Sequence, residues 1–171
     1  MVIYFIFRKL CPHKLLILII MQGREIADLN DLFFLCSLIE YVARKTKNER
    51  KVVVNALGKK GLSHYYNLAE VYHCENIDKV TDEIVTKYNI QLGNYDNVAR
   101  AKESVPTFWD IGKVLYRLVW GKAKREDIEL LDALTDVYNS WIIRKIDDYN
   151  CSMYYENTSY QYASLVEGHA V

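Results

Sequence analysis

From Leu32 to Tyr149, apolar residues return every three or four positions through most of the chain, and little interrupts them. Such spacing puts them on one face of a 3.6-residue helix. The 171 residues hold only 2 Pro and 7 Gly, too few turn-formers for a many-turned β sandwich. The expected fold class is all-α: a compact multi-helix cluster with a C-terminal helical hairpin. A chain of this length buries a sizeable core without disulfides or metals.

Six helices are expected. The first spans about Leu32 to Lys45, capped by Asn30 or Asp31, with Leu32, Cys36, Ile39 and Ala43 on its inner stripe. A short one follows from Glu49 to Leu57, capped by Asn48 and closed by Gly58 in a left-handed turn. Its Val52–Val54 run is β-branched, and length and caps decide for helix over strand. The third covers Ser63 to Tyr72. The fourth, Ile77 to Tyr88, is capped by Asn76. Residues 89–104 lack a period and read as a connecting loop. Thr107 starts the fifth, with Asp110 at its favourable third position and Gly121 at its end. The sixth is the longest, from Arg125 to Tyr149.

The chain falls into three parts on this pattern: 1–20, a helical domain over 21–150, and a tyrosine-rich tail over 151–171. Residues 1–20, MVIYFIFRKLCPHKLLILII, place Arg8, Lys9, Pro12, His13 and Lys14 between two short apolar runs. Neither run reaches the roughly 20 apolar residues of a membrane span. The order apolar, basic, apolar is not that of an export signal. Three readings stay open: a membrane-associating leader, a packed element, or an extension upstream of a true start at Met21. The last is favoured, because GREIADLND reads as a cytosolic N-terminus. A cytoplasmic location is expected, with membrane association disfavoured.

Lys+Arg and Asp+Glu are both 22, so no global field draws the molecule to nucleic acid or to a membrane. The four cysteines, at 11, 36, 74 and 151, form no CxxC pair and are expected as free thiols, Cys74 buried near a helix end. His64, His73 and Cys74 lack metal-ligand spacing, so no metal or cofactor is expected. No nucleophile elbow or phosphate-binding loop is present, and the acid pairs Asp82–Glu83 and Asp147–Asp148 are neighbours that cannot face each other. The reading is non-enzymatic.

Charge is segregated locally. Between Arg44 and Lys60 seven basic residues stand against Glu49 alone, and between Glu70 and Asp96 six acids stand against two lysines. Arg44, Lys45, Lys47, Arg50 and Lys51 are therefore candidate partner contacts. The plain alternative is a solvated face paired with the acidic stretch of the same molecule. Tyr154, Tyr155, Tyr160 and Tyr162 are the other candidates, since tyrosine buries much area at small entropic cost. They read either as a segment that orders on a partner or as a tail folded back on its own helices.

The stretch DLFFLCSLIEYVARKTKNERKVVVNALGKKGLSHYYNLAEVYHCENIDKVTDEIV, about residues 31–85, resembles a group of small helical bacterial proteins. Members of that group look like accessory or antitoxin-like components of operons that also encode ADP-ribosyltransferase-like toxins. The matching positions are Ile39, Glu40, Tyr41, Gly58, Leu68, His73 and Asp82. The resemblance implies a non-catalytic protein-interaction role with a partner encoded nearby. The alternative is a nucleic-acid-binding module using the basic stretch 44–60.

Overall fold

The structure, a computed structural model, describes residues 27–171. Residues 1–20, with the three readings of them, and Cys11 lie outside the described residues. The fold is all-α. Its elements are α1 (Ala27–Thr46), α2 (Arg50–Asn67), α3 (Ala69–Tyr72), α4 (Ile77–Lys87), α5 (Phe108–Glu126), α6 (Leu130–Asn139), α7 (Trp141–Ile146), a 3-10 turn (Ser152–Tyr155) and α8 (Thr158–Glu167).

Helix α1 is central. Its inner stripe is fully buried at Leu32, Leu35, Cys36, Ile39 and Val42. It packs against α2, α3, α4 and, most extensively, α5. The approach to α5 is set by small residues, since a Cβ on Gly112 would fall on the Ser37 side chain. Ser37 Oγ meanwhile donates back to Phe33 O at 2.8 Å. Phe33 contacts Tyr116 and Tyr41 contacts Phe108, so the two helices run antiparallel. Leu115, Leu118, Val119, Leu134, Val137 and Ile142 complete the core between α5, α6 and α7.

Several boundaries move. Helix α1 begins well before Asn30, so neither expected residue caps it. Gly58 does take a left-handed φ of 57°, but the helix resumes at once, making a kink inside α2 where a terminus was expected. Asn48 does not cap α2; its side chain donates to Gln91 O at 2.7 Å and ties down the 89–104 connection. Asn76 caps α4 as read, accepting from the backbone of Asp78 and Lys79. Thr107 and Asp110 form a reciprocal capping box on α5.

Gly121 does not end α5, which continues to a left-handed Asp127. The expected long helix from Arg125 to Tyr149 is divided by the Glu129 cap, which opens α6, and by extended backbone at Ser140. The segment 151–171 is no loose appendage. Met153, Gln161 and Ser164 are buried, Gln161 Nε2 donates to Met153 O at 2.9 Å, and α8 packs on α5 and α7. Of the cysteines described, Cys36 is buried, Cys151 is half-buried and Cys74 is exposed, contrary to expectation. Burial pushes the Cys36 thiol up to about 12.

Candidate functional site

The basic turn between α1 and α2 is built around a buried carboxylate. Glu40, 1 % exposed, sits on the inner side of α1. One of its oxygens accepts from Arg44 Nε, one turn later on the same helix, and from the Tyr149 hydroxyl at 3.2 Å. The other accepts from Arg50 Nε in the first turn of α2. Arg50, 2 % exposed, also pairs through Nη1 with Asp147, which is 1 % exposed at the end of α7. Arg44 Nη2 donates to Pro106 O at 2.9 Å and to the Tyr149 hydroxyl at 2.8 Å. Two guanidinium groups and two carboxylates thus neutralise each other across three helices.

Burial alone would favour the neutral acid at Glu40. The guanidinium groups of Arg50 and Arg44 outweigh it and hold the carboxyl below its usual range. Burial also works against the charge of Arg50, and the Glu40 carboxylate more than offsets this. Arg50 is therefore removed from the set of partner contacts: no partner reaches its side chain. Arg44 is half-buried and spends its donors inside the molecule.

Of the other members of that stretch, Lys45, Lys47 and Lys59 are exposed but paired, Lys51 is half-buried and paired, and Lys60 is exposed without an ion pair among the described residues. Lys45 bridges Asp78 and Asp82 of α4, each at 2.9 Å. Lys47, at a left-handed φ of 51°, meets Asp96 at 3.3 Å. Lys51 meets Glu49 at 2.8 Å, and Lys59 meets Asp132 at 2.7 Å. The segregated charges of the sequence come together in space, so stretch 44–60 is largely neutralised by its own chain.

Beside the network lies an open cleft of about 460 Å³, lined among others by Tyr95, Arg100, Arg144, Asp147 and Asp148. Arg100 stacks on Tyr95 at 4.7 Å, and Arg144 is held by Glu49 at 3.2 Å. Both cations on its wall are thus engaged, and Asp147 is committed to Arg50. The lining holds neither His nor Cys. Among the described residues no group of three His, Cys, Asp or Glu side chains is placed to hold a metal ion.

The four tyrosines of the last segment separate into two pairs. Tyr162 is fastened to α5: its hydroxyl donates to Glu126 at 3.1 Å and Arg125 stacks on its ring at 4.5 Å. Tyr160 is half-buried against the core. Tyr154 and Tyr155 stand edge to face at 4.9 Å on the 3-10 turn, and Tyr155 is 63 % exposed. With Val114 and Arg117 of α5 they border a groove of about 430 Å³.

A further cationic surface escaped the sequence reading. Between Ile111 and Arg125 there are five basic residues and no acid, and only Lys122 is ion-paired among the described residues. The signal was present, but the stretch reads first as an amphipathic core helix. No family model, curated protein or solved structure matches the chain. Among the described residues, no helix is long and apolar enough to cross a membrane.

Proposed function

We propose that the chain is a non-catalytic protein-interaction module that meets its partner at the Tyr154–Tyr155 turn and the groove beside it. The observation that carries this reading is Tyr155 itself: a large aromatic side chain left 63 % exposed on a turn whose neighbour Met153 is buried. A ring held outward by an anchored backbone gives contact area at low ordering cost, as at interface hot spots. Arg117 on the groove wall supplies a charged donor beside it.

The resemblance of residues 31–85 makes the partner a product of a neighbouring gene and the role antitoxin-like or accessory. The reading places the chain in the cytoplasm, where such partners meet. The test is co-expression with the neighbouring genes and purification at high salt. A stoichiometric neighbour that survives the wash, and is lost with Tyr154→Ala/Tyr155→Ala, supports the reading. Relief of that neighbour's toxicity makes the chain an antitoxin. A complex indifferent to both tyrosines would move the contact elsewhere on the surface.

A further inference from the structure

We infer that the outer face of α5 binds single-stranded nucleic acid, with Lys113, Arg117 and Lys124 meeting phosphates and Trp120 offering a stacking surface as Lys124 moves from its ring face to a phosphate. At 100° per residue the three cations fall within an arc of about 40°, and they span about 16 Å along the helix axis. All three are exposed, whereas Trp120 and Tyr116 beside them are half-buried. The opposite face of the helix, at Gly112, Leu115 and Val119, is buried against α1 and the core. The ribbon therefore points away from the protein.

What separates these cations from Lys45, Lys47, Lys51 and Lys59 of the basic turn is what holds them. None of the three has a carboxylate within ion-pair distance among the described residues, in contrast to Lys45, Lys47, Lys51 and Lys59. Aromatic rings hold two of them. Lys124 lies 4.4 Å from the Trp120 ring centre, and Arg117 lies 5.7 Å from that of Tyr116. The acids nearest in sequence are committed. Asp110 is bound in the Thr107 capping box, and Glu126 takes Lys122 and Tyr162. A phosphate chain arriving here displaces no intramolecular anion, so its counterion release is not offset.

Cations at steps of about one to two turns suit a flexible backbone that can adjust its phosphates to them. Aromatic rings between those cations suit unpaired bases, because every base has a π-face. A duplex would hide its bases from Trp120 and use only the charge. The ribbon adjoins the tyrosine turn through Arg117, but Lys113, Trp120 and Lys124 lie outside that groove. Arg117 belongs to both surfaces, so Lys113→Glu/Lys124→Glu is the pair that varies the ribbon alone.

The experiment is fluorescence anisotropy of the full chain with a labelled oligothymidylate of about 15 nucleotides, a length within the usual site sizes. Three phosphate contacts predict a log–log salt slope near about −2. Lys113→Glu/Arg117→Glu/Lys124→Glu should weaken binding tenfold or more, whereas Lys45→Glu/Lys47→Glu/Lys51→Glu should change it less than about threefold. Trp120→Leu, which removes the ring but keeps an apolar side chain, should cost about fivefold or more. Unchanged circular dichroism and melting of each variant secure the comparison. Absence of binding at low salt, or equal binding by the α5 triple variant, overturns the inference. So does a duplex bound as tightly as the single strand, or capture by anionic phosphatidylserine vesicles with no affinity for the oligonucleotide.

Discussion

Two regions of this molecule have nearly the same composition and opposite fates. Residues 44–51 and 113–125 each carry five basic side chains and at most one acid. In the first, Arg50 is sealed in the core between Glu40 and Asp147, and the lysines are met by Asp78, Asp82, Asp96 and Glu49. In the second, only Lys122 is ion-paired among the described residues, and Arg117, Lys124 and Arg125 rest on aromatic rings. Local sequence charge is the same signal in both places. What decides is which elements the fold brings opposite: the acidic α4 and Asp147 face the first, while in the second α1 and α8 cover α5 without bringing a carboxylate to Lys113, Arg117 or Lys124 among the described residues. A basic run is thus evidence for a polyanion surface only after its intramolecular partners have been found.

The strongest way to break this contrast is Arg50→Met. Removing the guanidinium leaves Asp147 buried without a cation and Glu40 with only Arg44 and Tyr149, and breaking a buried pair in this way typically costs about 3–5 kcal/mol. Urea unfolding should show that loss, and a change under about 1 kcal/mol would mean that the network is a surface feature after all. The same network sets an acid limit. Glu40 is held below its usual range by Arg50 and Arg44 against the cost of burial. A carboxyl depressed on folding contributes fully above its unfolded value of about 4.3, and the contribution is lost as pH falls through the lower folded value. Stability should therefore decline steadily below about pH 4.3. Glu40→Gln should flatten that decline while lowering stability at neutral pH. Parallel acid profiles for the variant and the parent would remove Glu40 from the account.

An intermediate effect is expected from the inner face of α5. Gly112→Ala puts a methyl group where Ser37 stands, and relief requires the α1–α5 pair to separate. Overpacking of this kind costs about 1–3 kcal/mol. The double variant Gly112→Ala/Ser37→Gly should recover most of it, because the two sites share one contact. Recovery measured in thermal melts would fix which face of α5 is turned inward, and hence that Lys113, Arg117 and Lys124 are turned out. A neutral Gly112→Ala would leave the orientation of the ribbon unsupported.

Much of the fold was legible in the sequence. The buried stripe of α1, the Asn76 cap and the Thr107–Asp110 box all follow from local chemistry that tertiary contacts did not override. The errors fall where a local signal had two outcomes. Gly58 permits positive φ, which serves a kink as well as a terminus. Asn48 can cap a helix or bond a distant loop, and Gln91 decided for the loop. The break at Ser140 has no sequence mark strong enough to end an apolar period, and the polar tail hid the anchors Met153 and Gln161. The candidate site was less legible still. Glu40 stood out only as part of a resemblance, and Arg50 looked like surface. Ion pairs between residues a hundred positions apart leave no trace in spacing.

The smallest predicted effects sharpen the comparison furthest. Lys45→Ala removes exposed bridges to Asp78 and Asp82, and screening makes such pairs nearly worthless. Whatever melting shift it causes should vanish at about 1 M salt, where the Debye length is about 3 Å. Lys124→Ala removes a cation from the Trp120 face, an interaction of about 0.5 kcal/mol at an exposed site. Part of that contact is the apolar stem of lysine against the indole, which salt does not screen. Its shift should therefore persist at high salt while that of Lys45→Ala disappears. If both vanish together, the two cations are held alike by simple charge, and the distinction between a neutralised turn and an aromatic-backed ribbon reduces to one of exposure.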